Sequence, residues 1–233
     1  MKTLIIIPAY NEEAAIRKVV ENIRNRCPQY HYIIINDGSL DRTEQICKEQ
    51  GFFYLTLPVN VGIAGAVQTG YKYAQRNGYD LAVQIDGDGQ HDVGYISQMI
   101  AKMQEENADI AIGSRFIEKR GFQSSKARRT GIYFLSTLIK ICTGKRIYDV
   151  TSGFRIVNRR FIEYYAQDYP GDYPEPEAIV MALESHAKIL EYPVMMRERG
   201  GGTSSIYSWR SIYYMIKVSL AIIVCRLSLK IRR

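Results

Sequence analysis

Two carboxylates one glycine apart, Asp86 and Asp88, follow directly on the apolar run Leu81–Ile85. Anions beside a buried strand are poorly tolerated unless something positive neutralises them. A hard divalent cation does this economically. It takes oxygen from one or two carboxylates and completes its shell with substrate phosphates. Gln90 adds another oxygen, and His91 a nitrogen that would suit manganese. The spacing predicts a Mg2+ or Mn2+ site at Asp86, Asp88 and Gln90, with Gly87 opening the turn between the acids. The alternative is a solvated Asp-Gly turn, because a lone DxD is common.

Other polar residues sit where apolar runs end. Pro8-Ala9-Tyr10-Asn11-Glu12, Asn36-Asp37-Gly38-Ser39, Asn60-Val61-Gly62 and Gly113-Ser114-Arg115 each follow such a run. In open parallel α/β sheets, ligands bind outside the carboxyl ends of the strands. Five strand ends are therefore expected to form one rim. Asp37 can accept hydrogen bonds from a uracil-type ring edge or a ribose, while Ser39 or Asp41 could open the following helix. The segment Asn60–Gly65 precedes another helix, and its N-terminus and Gly62 would suit a phosphate. Helix–sheet packing is the other reading for Gly65 and Gly70.

The elements that must position these residues are legible in the first 115 residues. Strands are expected at Thr3–Ile7, His31–Ile35, Phe52–Thr56, Leu81–Ile85 and Ile110–Ile112, alternating with amphipathic stretches Glu12–Arg26, Asp41–Gln50, Gly62–Asn77 and Val93–Glu106. Repeated βα units predict a mostly parallel sheet with helices on both faces. Runs such as Leu4-Ile5-Ile6-Ile7 are apolar on both sides, as a doubly covered sheet requires. Beyond residue 116 the pattern fades. Lys119–Arg129 reads as a basic loop, Gly131–Cys142 as an apolar helix, residues 168–177 as a loop rich in Pro, Tyr and acid, and Arg199–Ser205 as a Gly-rich loop. Ser208–Leu229 reads as a long, largely apolar helix.

The chain has 233 residues, 46% hydrophobic and 24% charged, an ordinary globular balance that excludes a disordered chain. Four scattered cysteines without a CxxC, and only three histidines, argue against a zinc cluster and fit a reducing cytosol. The short apolar run before Pro8 is too brief for a signal peptide. The net charge of +7 is localised: after Glu198 there is no acidic residue, while Arg199, Arg210, Lys217, Arg226, Lys230, Arg232 and Arg233 follow. Basic residues within an Ile-, Leu-, Val- and Tyr-rich segment suit anionic lipid better than nucleic acid. A spanning helix needs roughly 20 predominantly apolar residues, and Lys217 and Arg226 interrupt this one. The expectation is a catalytic domain over 1–205 and, over 206–233, a juxtamembrane or interfacial helix. A core helix packed on the domain is the alternative.

Six ordered motifs then carry a resemblance: PAYNEE (Pro8–Glu13), NDGSLDRT (Asn36–Thr43), NVGIAGAVQTGY (Asn60–Tyr71), IDGDGQHD (Ile85–Asp92), IGSRF (Ile112–Phe116) and DVTSGFR (Asp149–Arg155). From residue 3 to about 205 the sequence resembles family 2 glycosyltransferases, particularly the dolichyl-phosphate mannose synthase and bacterial polyprenyl-phosphate glycosyltransferase branch. The resemblance implies a GT-A fold (a Rossmann-like nucleotide-diphospho-sugar transferase sheet), inversion at the anomeric carbon, and Mg2+ or Mn2+. It implies an NDP-sugar donor, UDP-linked in preference, with GDP-mannose as the other candidate. Carried over residue by residue, Pro8, Ala9, Tyr10, Glu12 and Asp37 hold the nucleotide. Gly62 and Gly87 allow its close approach, and Asp86, Asp88 and Gln90 hold metal and diphosphate. Arg115 approaches the diphosphate or sugar, and Asp149, Ser152 and Arg155 match a motif near the sugar.

The acceptor follows from charge. A hydroxyl nucleophile needs a general base. A phosphate monoester needs none, but needs cations to hold it beside another anion, and arginine forks suit that task. By similarity, Arg128 or Arg129 and Arg199, with Ser204 in the same Gly-rich loop, grip polyprenyl phosphate. A solvated basic loop is the other reading for Arg128 and Arg129, and a buried pair with Asp149 the other reading for Arg155. Glu177 or Asp149 serving as a base keeps open transfer to a hydroxyl of a lipid-linked glycan in wall or capsule synthesis. A nucleotidylyltransferase is disfavoured, since no Gly-rich N-terminal loop with a catalytic Arg and Lys is present. The resemblance places such an enzyme on the cytosolic face of a membrane, peripheral or monotopic, without nucleic acid. Close relatives continue into transmembrane helices beyond this chain's Arg233, so a separate small membrane protein or a second copy is a candidate partner.

Overall fold

A computed structural model describes residues 1–118, 126–171, 174–196 and 208–231. The apolar runs become strands β1 (Thr3–Ala9), β2 (His31–Asn36), β3 (Tyr54–Thr56), β4 (Leu81–Gln84) and β5 (Ile110–Ser114), and two short strands follow, β6 (Arg155–Asn158) and β7 (Ile189–Pro193). They form one seven-stranded sheet in the order β3-β2-β1-β4-β6-β5-β7. Neighbours pair in parallel, except that β6 runs antiparallel to both β4 and β5. Side chains alternate across a strand, so β1 feeds two cores. Leu4 and Ile6 enter one, Ile5, Ile7 and Ala9 the other. Each fully buried Ile contributes roughly 1.5–3 kcal/mol, which is why such runs define the centre of the sheet.

Helices α1 (Ile16–Arg26), α2 (Thr43–Glu49) and α4 (Ile96–Glu105) cover one face, with a 3-10 turn at Val93–Tyr95 before α4. Helices α3 (Gly62–Arg76), α5 (Lys126–Thr143), α6 (Arg159–Gln167), α7 (Pro174–Glu184) and α8 (Ser208–Ile231) lie on the other. Gly70 lets α3 lie flat on β1, because a Cβ there would stand 2.3 Å from Ile6 Cγ2. Packing is thus the role of that glycine. Asn158 opens α6 by accepting a bond from Phe161 N at 3.1 Å.

Two expected loops prove partly helical. Arg128 and Arg129 stand exposed in the first turn of α5, which begins at Lys126. Pro174 and Pro176 open α7, each followed by a glutamate, Glu175 and Glu177. Proline is tolerated in a first helical turn, where its missing N–H has no partner to lose, and acids there complement the helix dipole. Helix α8 packs on α7 and α5 through Val218 and Ile222, both fully buried. Arg226 of α8 pairs with Glu184 of α7. On the side of α8 facing away, Ile216, Leu220, Ile223 and Leu227 form an exposed apolar stripe. Among the described residues, no helix is long and apolar enough to cross a membrane.

Candidate active site

The rim built from strand ends closes around a cleft of about 450 Å³. Pro8, Ala9, Tyr10 and Glu12 line it from the end of β1, Asp37 from β2, Asn60 and Gly62 from the start of α3, and Asp86, Gly87 and Asp88 from β4. Nine of the residues expected to touch the donor therefore meet in one space, while Gln90 and Arg115, also expected there, are not among its lining. Asp37 is nearly buried, and its Oδ1 accepts Val61 N at 2.8 Å while its carbonyl accepts Asn60 Nδ2 at 3.2 Å. Burial raises its carboxyl above the usual range, opposed by the Val61 and Gly62 amides. Asp41 takes the bracing role at the entry to α2. It accepts from Thr43 N at 2.9 Å and Glu13 N at 3.0 Å. Burial pushes its carboxyl up, but these bonds outweigh that and hold it below its ordinary value.

The Asp86–His91 turn is fixed from within. His91 is buried and stacks on Phe154 with ring centroids 5.2 Å apart. Burial depresses its pKa to about 4, so the ring is neutral near pH 7. Its Nδ1 accepts Asp86 N at 3.0 Å, which places the proton on Nε2, 3.7 Å from Asp86 Oδ2. Neither nitrogen offers a lone pair to a cation, so the manganese role considered for His91 gives way to a bracing one. Asp88 Oδ1 accepts Gln90 N at 3.0 Å, so Gln90 enters the turn through its backbone. Across the cleft floor, Gly153 abuts Asp86, and a Cβ there would lie 2.8 Å from Asp86 Oδ1.

Arg115 and Asp149 form a buried bidentate pair. Nε donates to Oδ2 and Nη2 to Oδ1, each at 2.7 Å, and Arg115 N adds a third bond to Oδ2 at 3.0 Å. Nη2 also reaches Thr151 Oγ1 at 3.1 Å. Burial alone would lower the guanidinium pKa; Asp149, aided by Asp86, raises it instead. Asp149 is thus committed to Arg115, which removes it as the general base considered above. Arg155 does not pair with Asp149 either. It donates to the carbonyls of Ser152 at 2.8 Å and Val150 at 3.3 Å.

The acidic residue that reaches the cleft from the second half of the chain is Glu175, not Glu177. Burial raises the Glu175 carboxyl, Arg155 opposes the rise and Asp86 adds to it. Glu177 instead lies where its charge acts on Cys225 of α8. The two Pro-Glu steps gave the only signal for Glu175, and nothing in them distinguishes one glutamate from the other. Arg128 and Arg129 lie on α5 and do not line this cleft, while Arg199 and Ser204 lie outside the described residues. No group of three or more His, Cys, Asp or Glu among the described residues could cage a metal. Two carboxylates facing one open cleft fit a cation that borrows its remaining ligands from substrate phosphates.

Comparison with known proteins agrees with this geometry. The model of the family described as Glycosyl transferase family 2 matches residues 4–165. The chain is similar to the polyprenol monophosphomannose synthase of Mycolicibacterium smegmatis, 27% identical over 228 residues, covering 94% of this chain and 86% of the relative. It is also similar to the UDP-N-acetylglucosamine–dolichyl-phosphate N-acetylglucosaminyltransferase of Methanococcus voltae, 29% identical over 210 residues, with 82% and 83% covered. Among solved structures, glucosyl-3-phosphoglycerate synthase from Mycobacterium tuberculosis, in complex with Mn2+ and UDP-glucose, superposes with a TM-score of 0.72. That match has 17% identity and covers 97% of this chain and 78% of the other. It shows the fold: a mixed α/β, GT-A-like sheet.

Proposed function

The chain belongs to glycosyl transferase family 2, and from that premise we propose that this glycosyltransferase moves a sugar from a nucleotide sugar, UDP-linked in preference, to polyprenyl phosphate with inversion. The observation that carries the reading is the shared cleft: Asp37, Asp86 and Asp88 line one space together with Ala9 and Gly62. Asp37 binds the base or ribose, its carboxylate braced by the Val61 and Gly62 amides at the start of α3. Asp86 and Asp88 hold Mg2+ or Mn2+, which when bound neutralises the departing diphosphate. His91 and Gly153 keep the Asp86 carboxylate where it is needed. Arg115, locked by Asp149, presents fixed positive charge to the leaving group. The named substrates of the two relatives support a phosphate acceptor, which is already anionic and needs no base. Arg128, Arg129, Arg199 and Ser204 are the proposed acceptor contacts.

We read residues 1–205 as the catalytic unit and 206–233 as its membrane contact, on the cytosolic face. The outward stripe of α8 supports this, as do Tyr133, Phe134 and Ile141 exposed on neighbouring α5, whose first turn carries the exposed Arg129. Apolar side chains flanked by cations suit an anionic bilayer surface.

One observation favours a second reading. Glu175 places a carboxylate of raised pKa in the donor cleft, as a general base for a hydroxyl acceptor would require. Membranes carrying the protein can be supplied with labelled UDP-glucose, UDP-GlcNAc, UDP-GalNAc or GDP-mannose, undecaprenyl phosphate and Mn2+. An acid-labile labelled lipid supports transfer to the phosphate. Glu175→Gln then separates the acceptors. Transfer to phosphate should persist within about tenfold, whereas a lost general base costs about 10²–10⁴-fold.

A further inference from the structure

Glu191 lies on β7, in register with Ile112 of β5, three residues before Arg115. Its two carboxylate oxygens accept two consecutive backbone amides. Oε2 takes Tyr148 N at 2.7 Å and Oε1 takes Asp149 N at 2.8 Å. The residue held by the second bond is the partner of Arg115. We propose that Glu191 is a positioning residue for sugar transfer: by clamping the Tyr148–Asp149 backbone it sets the Asp149 carboxylate, and through it the Arg115 guanidinium beside Asp86. This rests on the functional reading above.

The clamp is specific to a carboxylate. Two parallel N–H donors need two acceptor oxygens, which a carboxylate supplies and an amide does not. A glutamine would turn an NH2 group toward one of the two donors and leave that amide unsatisfied. An aspartate keeps both oxygens but withdraws them by one methylene. The arrangement also brings Glu191 and Asp149 together, and the repulsion adds to burial in raising the Glu191 carboxyl. Two like charges held near one another are a poor device for stability alone. They are useful if the position of Asp149 matters, because both its carboxylate oxygens bond Arg115 and its amide bonds Glu191, so the clamp bears on one guanidinium. Arg115 in turn is close enough to Asp86 for that charge to act on it. The Asp149–Arg115 linkage spans 34 residues and the Glu191–Asp149 linkage 42, so both clamps join segments distant in sequence.

A double-mutant cycle tests this. UDP affinity in saturating Mn2+ is measured by calorimetry for the wild type, Glu191→Gln, Arg115→Lys and the double variant, with thermal unfolding to confirm that each is folded at the assay temperature. Glu191→Gln is expected to weaken UDP about tenfold in the wild-type background and less than twofold in the Arg115→Lys background. Glu191→Asp should follow Glu191→Gln, and it serves in its place if the glutamine variant does not fold. Equal losses in both backgrounds, or a lowered melting temperature with UDP affinity unchanged, would show that Glu191 is merely structural. If the wild type binds neither UDP nor GDP with Mn2+, the functional reading itself falls and this inference with it. If the wild type binds but the cycle is additive, only the inference falls.

Discussion

A single methyl group at Gly153 should disable cation binding without unfolding the protein. Gly153 is buried in the loop that enters β6, and its backbone lies outside the left-handed region, so alanine fits the local conformation. The built Cβ stands 2.8 Å from Asp86 Oδ1 and 3.1 Å from Oδ2, whereas ordinary contact begins at 3.4 Å. The carboxylate must therefore retreat by about 0.6 Å, beyond the roughly 0.5 Å within which a site keeps its geometry. It has room to do so, because the Asp86 side chain is about one-third exposed. The folding cost is correspondingly small, about 1 kcal/mol of crowding, partly offset by the reduced freedom of alanine in the unfolded chain. Displacing a group that orients a metal ligand costs about 10–100-fold in metal affinity. Gly153→Ala should therefore raise the Mn2+ concentration for half-maximal UDP binding by that factor, read by calorimetry or by the paramagnetic signal of free Mn2+. The urea midpoint should barely move. An unchanged Mn2+ requirement in a folded variant would refute the reasoning, because Asp86 would then not be where the cation sits.

Three further outcomes follow from the same geometry. Asp88→Ala should reduce sugar transfer more than a thousandfold while leaving the unfolding transition within about 1 kcal/mol of wild type, since its bond to Gln90 N lies within one short turn; retained turnover in EDTA would contradict the metal assignment. Asp149→Asn should cost about 3–5 kcal/mol in denaturant unfolding, because it leaves the buried Arg115 charge without its partner. The two faces of α8 should separate cleanly: Val218→Asp should destabilise the fold by about 3 kcal/mol or more, whereas Leu220→Asp should leave stability within about 0.5 kcal/mol yet weaken co-sedimentation with anionic vesicles. Unaltered vesicle binding by Leu220→Asp would remove the outward stripe as a membrane contact.

How much of this was legible in the sequence divides near residue 116. Strands β1, β4 and β5 were readable because each is a run buried on both faces, whereas β3 is only half-buried at the sheet edge, and the polar residue after each run marked its carboxyl end. The proposed donor side of the cleft followed from those ends together with the family resemblance. Strand β6 was not foreseen. Its four residues start with Arg155 and end with Asn158, and neither charge nor length suggests an interior strand. Helix α7 was hidden by Pro174 and Pro176, which look like loop residues until their place in a first turn is known. The partner of Asp149 was misplaced for a different reason. Arg155 is six residues away in sequence, Arg115 is 34, and a pairing made across the sheet leaves no local pattern. Glu175 was recognised only as one member of an acidic pair, since helical phase decides which member faces the cleft and that phase depends on where α7 begins.

Reversing one strand has an architectural result. The parallel strands reach the rim only where they leave the sheet, but β6, running the other way beside Gln84 of β4, reaches the same rim where it enters. The polypeptide therefore departs from β5 at Arg115, travels through α5, and returns to a neighbouring point of the rim at Asp149–Gly153. Between these two anchors α5 packs into the core through Ile132, Leu135 and Ile139 while Arg128 and Arg129 stand exposed in its first turn. A scaffold of this kind can retain one way of holding a nucleotide while exchanging the surface that chooses what receives the sugar.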